Sequence, residues 1–102
     1  MNPAVGENFG NLLMPTFALT VIGKVQGVFF RVETKEQADR LGILGMVQNK
    51  PDGSVYIECS GNAAALDSFI AWCHQGPARA VVQQLLQEEI ENKDYKGFEI
   101  LR

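Results

Sequence analysis

The order of its hydrophobic patterns is the feature that most constrains the fold of this chain. Residues 16–24 (TFALTVIGK) are rich in β-branched and aromatic side chains and end near a glycine, which indicates a strand. Residues 32–41 are polar with apolar side chains spaced for one helical face, and Gly42 is a plausible helix stop. In residues 55–59 apolar and polar side chains alternate, as in a half-buried strand. The pattern therefore changes from strand to helix and back to strand.

A hairpin precedes the strand at residues 55–59, and a second helix follows it. The run Pro51-Asp52-Gly53 has turn chemistry, because proline presets φ and glycine accepts a positive φ. Asn62 is suited to cap a helix that ends at Gly76-Pro77. Its apolar residues recur at i, i+3, i+4 and i+7, which predicts a core-facing stripe: Leu66, Phe69, Ile70 and Cys73.

The segment after this helix is ambiguous. By propensity and periodicity, residues 80–93 (AVVQQLLQEEIENK) favour a helix, and residues 97–102 (GFEILR) alternate like a short strand. If the ambiguous segment is instead a strand, the order is βαββαβ. That order is the ferredoxin-like α+β sandwich, with two helices on one face of a mixed, mostly antiparallel sheet and a possible short extra strand at the C-terminal end.

Composition limits the functional classes. The chain has 102 residues, enough for one domain, with 46% hydrophobic and 21% charged residues and a formal net charge of -3. The negative charge argues against broad binding to nucleic acid or to a membrane surface. No apolar run approaches a membrane span and no signal peptide is present, so we expect a cytoplasmic protein with reduced Cys59 and Cys73. We expect residues 1–15 to be a flexible tail and residues 16–102 to form the domain.

The loop between the first strand and the first helix carries the strongest functional signal. Residues 23–31 read GKVQGVFFR. Glycines allow backbone amides to turn inward and bind an anion, and the positive end of the following helix points the same way. Arg31 could contact a phosphate through two hydrogen bonds. From these residues alone, a glycine-bearing turn followed by a solvated arginine remains the alternative.

Two long motifs in this chain resemble those of the acylphosphatase family. GKVQGVFFR is similar to the family's first signature, and residues 45–61 (GMVQNKPDGSVYIECSG) resemble the second. GPARAVV and GFEI resemble later landmarks, so the resemblance covers residues 16–102. One departure is Met46, where the family usually has an aromatic residue. The positions that match the second signature are Gly45, Val47, Asn49, Gly53, Val55 and Gly61.

The resemblance implies a fold, an activity and a site. The fold is ferredoxin-like, so the segment after Pro77 becomes the fourth strand. The activity is hydrolysis of small acyl phosphates to carboxylate and inorganic phosphate, with no metal or other cofactor. Arg31 corresponds to the phosphate-binding arginine and Asn49 to the asparagine that orients the attacking water. The loop whose amides hold the phosphate oxygens corresponds to Val25, Gln26, Gly27, Val28, Phe29 and Phe30.

These roles agree with the chemistry of phosphoryl transfer, which needs positioning and charge stabilisation more than covalent chemistry. Asn49 cannot act as a base, but it can hold a water by accepting and donating hydrogen bonds. The expected partners are a small acyl phosphate and inorganic phosphate as product and competitive inhibitor, and we expect a monomer that binds neither nucleic acid nor membrane. A non-catalytic phosphate- or metabolite-binding module is the alternative.

One further pattern in the sequence is typical of a different enzyme chemistry. The spacing from Cys73 to Arg79 matches the C-x5-R pattern of cysteine-dependent phosphatases, which need an exposed thiolate. Cys73 lies on the predicted apolar stripe, so we expect it to pack in the core. His74, the single histidine, is expected near the C-terminal end of the helix, where its position suits the helix dipole.

A further variant of the enzyme function is hydrolysis of carbamoyl phosphate, as in the acylphosphatase-like domains of larger carbamoyl-transfer proteins.

Overall fold

A computed structural model describes residues 14–102, so most of the predicted tail lies outside the described residues. Five strands form one sheet in the order β4-β1-β3-β2-β5, and all neighbouring pairs are antiparallel except β2 and β5. This confirms the ferredoxin-like arrangement with a short extra strand. In chain order the elements are β1 (Thr16–Lys24), α1 (Phe30–Leu41), β2 (Leu44–Asn49), β3 (Val55–Ser60), α2 (Ala63–Gln75), β4 (Val81–Glu89) and β5 (Phe98–Leu101).

The core lies between the sheet and the two helices. Each helix buries one face: Phe30, Thr34 and Ala38 in α1, and a stripe of Leu66, Phe69 and Cys73 in α2. These side chains meet the alternate residues of the strands that face the helices. The largest of these strand residues that are fully buried are Leu19, Val21, Val47, Val55 and Ile57.

The helix expected at residues 80–93 from propensity is wrong, and the strand implied by the family resemblance is confirmed. β4 pairs with β1 along its whole length, from Phe17 opposite Glu89 to Lys24 opposite Val81. Without β4, one edge of β1 would expose unpaired backbone donors and acceptors, and pairing them outweighs the weak helical propensity of the segment.

The caps and turn predicted from the sequence are present. Gly42 ends α1 in a left-handed conformation, and the Asn62 side chain accepts a hydrogen bond of 2.8 Å from the Ala65 amide. In the β2–β3 hairpin, the Lys50 amide donates to the Ser54 carbonyl over 2.9 Å. Asp52 accepts from both the amide and the hydroxyl of Ser54, at 2.9 and 2.6 Å. These bonds fix the turn that immediately follows Asn49.

The polar surface of α1 has an ion pair other than the one that four-residue spacing suggests. The sequence suggests a pair between Glu36 and Arg40, four residues apart. Among the described residues, the only ion pair within α1 joins Lys35 to Asp39, at 3.0 Å. Arg40 instead donates to the Gln37 side chain over 2.6 Å. Lys35 gains a second acceptor, the Phe98 carbonyl at 2.9 Å, which explains the preference for that pair and ties α1 to β5.

A buried carboxylate ties the segment between β4 and β5 to the helix-free face of the sheet. Glu58 alternates with Ile57 and Cys59 of β3, so it faces away from the helices, and it is 6% exposed. It accepts hydrogen bonds from Tyr56 (2.7 Å), Lys93 (2.8 Å) and Tyr95 (2.6 Å). Burial acts to raise the pKa of Glu58, but these three donors outweigh it and lower the pKa. Burial, with the hydrogen bond to Glu58, raises the pKa of Tyr56 to about 12.

None of the helices within residues 14–102 is long and apolar enough to cross a membrane. Cys59 and Cys73 are both free and buried, so they do not pair with each other.

Candidate active site

The β1–α1 loop, residues 25–29, presents backbone donors without protein acceptors. In the described part of the chain, none of the amides of residues 25–32 donates a hydrogen bond to another backbone or side-chain group. The first turn of α1 also has no side-chain cap, because Phe29 occupies the N-cap position. Uncapped amides at a helix start carry partial positive charge and bind anions readily.

Two left-handed residues shape this loop. Gly27 has φ of 74°, and a Cβ added there would meet nothing within 4 Å, so the requirement for glycine is conformational. Phe29 has φ of 66° and ψ of 21° despite its large side chain. A non-glycine residue in this region costs on the order of 1–3 kcal/mol and is found preferentially at functional sites. The loop therefore stores strain beside its free amides.

Phe30 anchors the start of α1 and thereby fixes Arg31. The Phe30 ring is buried and packs edge-on against Trp72, with ring centroids 5.7 Å apart. Its neighbour on the other side is Gly76, where an added Cβ would lie 2.5 Å from the Phe30 ring. The Thr34 hydroxyl donates to the Phe30 carbonyl over 2.7 Å. Arg31 is thus the second residue of a helix whose first residue is held rigidly in the core.

Gln26 joins the loop to the β2–β3 hairpin. Its side-chain amide nitrogen donates to the Lys50 and Ser54 carbonyl oxygens, both at 2.8 Å. The two acceptors close the turn directly after Asn49. The side chain of Gln26 therefore sets the distance between the loop and the strand end that carries Asn49.

Asn49 is the last residue of β2, and its side chain has an unsatisfied atom. Its Oδ1 is buried and has no hydrogen-bond partner among the described residues. A buried acceptor left unpaired costs about 1–3 kcal/mol, so this arrangement lowers stability unless a ligand or water completes it. Val47, two residues earlier on the same face, is in the core, which places Asn49 on the helix side of the sheet.

A cavity of about 230 Å³ joins these features. Because one water occupies ~30 Å³ in the liquid, the cavity can hold a group several times larger than a water molecule. Among its lining residues Arg31 is the single charged one, so the local field favours an anion. The lining consists of Val25, Gly27, Phe29, Phe30, Arg31, Val32 and Asn49.

The structure brings most of the expected site residues together. Two of the predicted loop residues do not line the cavity: Gln26 points to the hairpin, and the Val28 side chain is 4% exposed in the core. Sequence reasoning missed Val32 as a lining residue, because its spacing placed it on one helical face with Ala38 and Leu41, whereas it is 49% exposed and lines the cavity. Its position three residues after Phe29 was the signal that could have identified it.

Met46 lies away from the cavity. It is opposite Glu58 in the β2–β3 pairing, and it alternates with Val47, so its side chain faces the helix-free side of the sheet. The cavity lining accordingly does not include Met46. Replacement of the family's usual aromatic residue therefore changes the opposite face from the one that holds Asn49.

Cys73 and His74 both lie near the C-terminal end of α2. Cys73 is fully buried on the core face of α2, as predicted, and burial raises the pKa of its thiol well above the ordinary value. A buried neutral thiol is not a nucleophile. His74 lies in the last turn of α2. Within residues 14–102 no group of three or more His, Cys, Asp or Glu side chains is arranged to hold a metal ion.

Comparison with known proteins gives this geometry a family. Residues 17–100 match the family model described as Acylphosphatase. The chain belongs to the acylphosphatase family. An acylphosphatase of Rubrobacter xylanophilus is 47% identical over 81 residues, which cover 78% of this chain and 74% of that relative. The function of the chain is therefore that of an acylphosphatase, a hydrolase.

Solved acylphosphatase structures have the same fold. The acylphosphatase from Coxiella burnetii superposes with a TM-score of 0.84 at 33% identity, covering 88% of this chain and 95% of that structure. The acylphosphatase from Bacillus subtilis gives a TM-score of 0.82 at 30% identity, with coverage of 86% and 99%. The likeness extends over nearly the whole of both acylphosphatases.

Proposed function

We propose that this acylphosphatase hydrolyses the carboxyl–phosphate bond of small acyl phosphates in the cavity between the β1–α1 loop and Asn49. The observation that carries the proposal is the buried, unpaired Oδ1 of Asn49 in a cavity whose one charged lining residue is Arg31. The cavity thus offers a cation for the phosphate and an acceptor for a water molecule.

The phosphate group binds to the loop amides and to Arg31. The amides of residues 25–30 that lack protein acceptors donate to the phosphate oxygens, and the α1 terminus adds its positive partial charge. Arg31 binds through its planar fork of N–H donors. Because charge on the equatorial oxygens must be stabilised during phosphoryl transfer, the same contacts serve the transition state.

Asn49 orients the attacking water. Its Oδ1 accepts a hydrogen bond from the water, which fixes the direction of the oxygen lone pair toward phosphorus. The amide cannot remove a proton, so its contribution is positioning. The water attacks phosphorus, the bond between phosphorus and the acyl oxygen breaks, and its electron pair leaves with the carboxylate, while the protons of the water stay on the oxygens of the phosphate product. The products are a carboxylate and inorganic phosphate.

The leaving group makes a general acid unnecessary. A carboxylate is stable as an anion and needs no proton as it departs. This agrees with a cavity whose described lining holds no carboxyl, histidine or cysteine side chain. In this proposal the reaction needs no metal and no cofactor.

The proposal also covers the inhibitor, the oligomeric state and the location of the protein. Inorganic phosphate, as the product that retains the contacts with Arg31 and the loop, inhibits competitively. The protein acts as a monomer in the cytoplasm, consistent with a site formed by one chain. Sedimentation equilibrium at several concentrations tests the monomer, and a concentration-dependent mass would contradict it.

The decisive experiment is hydrolysis of acetyl phosphate in excess chelator by the native protein, Asn49→Ala and Arg31→Ala. We expect Asn49→Ala to lower kcat on the order of 10²–10³-fold while phosphate still inhibits, because the binding contacts remain. We expect Arg31→Ala to lose both turnover and inhibition by phosphate. Arg40→Ala, an exposed arginine near the other end of α1, is the matched control and should retain activity.

Two results would overturn the proposal. One is native protein that binds phosphate but hydrolyses neither acetyl phosphate nor the bulkier benzoyl phosphate, which would indicate a binding module. The other is full activity in Asn49→Ala, which would remove the asparagine from the reaction. Circular dichroism of each variant shows whether a loss of activity reflects a loss of fold.

A further inference from the structure

Phe29 combines two properties that a folding role does not explain. Its side chain is 67% exposed, the most exposed of the large apolar side chains described as exposed. Its backbone is left-handed, with φ of 66°, a conformation that suits glycine or asparagine far better than a bulky aromatic residue. The ring takes part in neither of the aromatic pairs of the described core. The chain therefore bears strain at Phe29 without packing that compensates for it.

Phe29 has a neighbour of similar character at the cavity. Val32 is 49% exposed and also lines the cavity, and it follows Phe29 by three residues. Phe29 is the N-cap of α1 and Val32 is the third residue of that helix, so both stand at its start. The two side chains form a small apolar surface, and both belong to the same cavity as Arg31 and Asn49.

The geometry of in-line displacement indicates where the apolar surface of Phe29 and Val32 lies relative to the reacting phosphorus. The attacking and leaving oxygens lie on opposite sides of phosphorus. The water lies at Asn49, whose Oδ1 is buried at the end of β2. The acyl group must then leave on the side away from Asn49, toward the open side of the cavity. Among the side chains that line the cavity, the exposed ones, and therefore those that a group extending toward solvent would meet, are Phe29 and Val32.

We propose that Phe29 and Val32 bind the acyl group of the substrate and make this acylphosphatase selective for aromatic and bulky apolar acyl phosphates over acetyl phosphate. The inference rests on the proposed function. Stacking or edge contact with the Phe29 ring stabilises an aromatic acyl group, whereas an acetyl group is too small to use most of the surface. Phe29 is a specificity-determining residue through its side chain, in addition to the contribution of its backbone amide.

The test compares benzoyl phosphate with acetyl phosphate as substrates of native protein, Phe29→Leu and Phe29→Ala. The measured quantity is the ratio of the two kcat/KM values. We expect Phe29→Ala to lower the benzoyl-to-acetyl ratio by about three- to tenfold, which is the range of an aromatic contact. We expect Phe29→Leu to give an intermediate ratio, because it keeps apolar area but loses the ring.

Val81→Ala is the matched control. Val81 is 54% exposed on β4 and does not line the cavity, so this variant removes exposed apolar area without changing the ratio. Thermal unfolding of Phe29→Gly supplies a second readout. Because glycine relieves the left-handed strain, we expect no fall in the unfolding temperature, whereas a clear fall would show that Phe29 serves the fold.

The outcomes separate this inference from the proposed function. If native protein hydrolyses neither substrate, the proposed function fails. If it hydrolyses both and Phe29→Ala leaves the ratio unchanged, the proposed function stands and the acyl-binding role of Phe29 is overturned. An equal loss for both substrates would likewise overturn it, because that result assigns the ring to phosphate binding or to loop structure.

Discussion

At the scale of the residue, Gln26 separates two tasks within one loop. Its backbone belongs to the segment proposed to bind phosphate, while its side chain crosses to the hairpin and donates to the Lys50 and Ser54 carbonyls. The sequence predicted the loop, because glycines and a following helix are local signals. It could not predict the side-chain contact, because that contact depends on how closely a hairpin more than twenty residues later approaches the loop.

Gln26→Leu and Gln26→Glu test this positioning role. Leucine removes the donor of both hydrogen bonds. Glutamate also places a negative carboxylate beside two carbonyl oxygens, which repel it, so we expect Gln26→Glu to lower stability and activity more. The free energy of unfolding should fall by about 1–3 kcal/mol in Gln26→Leu, because the hydrogen bonds are lost. We also expect kcat for acetyl phosphate to fall by more than KM changes, because Asn49 loses its fixed distance from the loop.

Urea unfolding and steady-state kinetics provide the two measurements. Gln83→Leu, at an exposed position of β4, is the control and should change neither. A loss of stability in Gln26→Leu with unaltered kcat would mean that the contact supports the fold alone.

At the scale of the element, the correct and incorrect predictions have different physical origins. α1, α2 and the hairpin follow from local chemistry: a cap at Asn62, a stop at Gly42 and the turn after Lys50. The family resemblance, rather than local pattern, identified β4 as a strand. Its helical propensity is genuine, but its structure is decided by pairing with β1, which no local window contains.

Gly45 shows how closely β2 and β3 approach. Gly45 has φ of 148°, and an added Cβ would collide with the Glu58 carbonyl on β3. Because the backbone of β3 cannot move without breaking its own pairing, we expect Gly45→Ala to lower the free energy of unfolding by at least about 2 kcal/mol.

Gly97→Ala is the matched control for Gly45→Ala. An added Cβ at Gly97 meets nothing within 4 Å, so we expect Gly97→Ala to change the free energy of unfolding by no more than about 0.5 kcal/mol. Chemical denaturation of both variants makes the comparison. Equal stability of the two variants would show that the sheet accommodates the methyl group by a small backbone shift.

At the scale of the whole molecule, Glu58 makes stability depend on pH. Its hydrogen bonds from Lys93, Tyr95 and Tyr56 hold its pKa below the ordinary value of 4.5. A carboxyl whose pKa is lowered by folding contributes stability above its unfolded pKa, and this contribution is lost as the pH falls through the folded pKa. We therefore expect Glu58→Gln to lower the free energy of unfolding by about 1–3 kcal/mol near neutral pH. That difference should shrink in acid, where native Glu58 is also uncharged.

Urea unfolding across this pH range measures the difference. Glu36→Gln, at an exposed position of α1, is the control, and its stability should follow that of the native protein at each pH. A difference between Glu58→Gln and native protein that stays constant into strong acid would show that the charge of Glu58 contributes nothing to stability.

The place of β1 in the sheet has a consequence for how the chain acquires its fold. β1 is the first strand in sequence, yet it lies between β3 and β4, so both of its edges are paired only when residues as far as Glu89 are available. Pairings across such long separations form slowly, and an open strand edge attracts other chains. During folding, β1, which leads into the β1–α1 loop, therefore keeps one edge unpaired until β4 is available. Docking of β4 pairs the second edge of β1 and leaves β4 as an edge strand of the sheet.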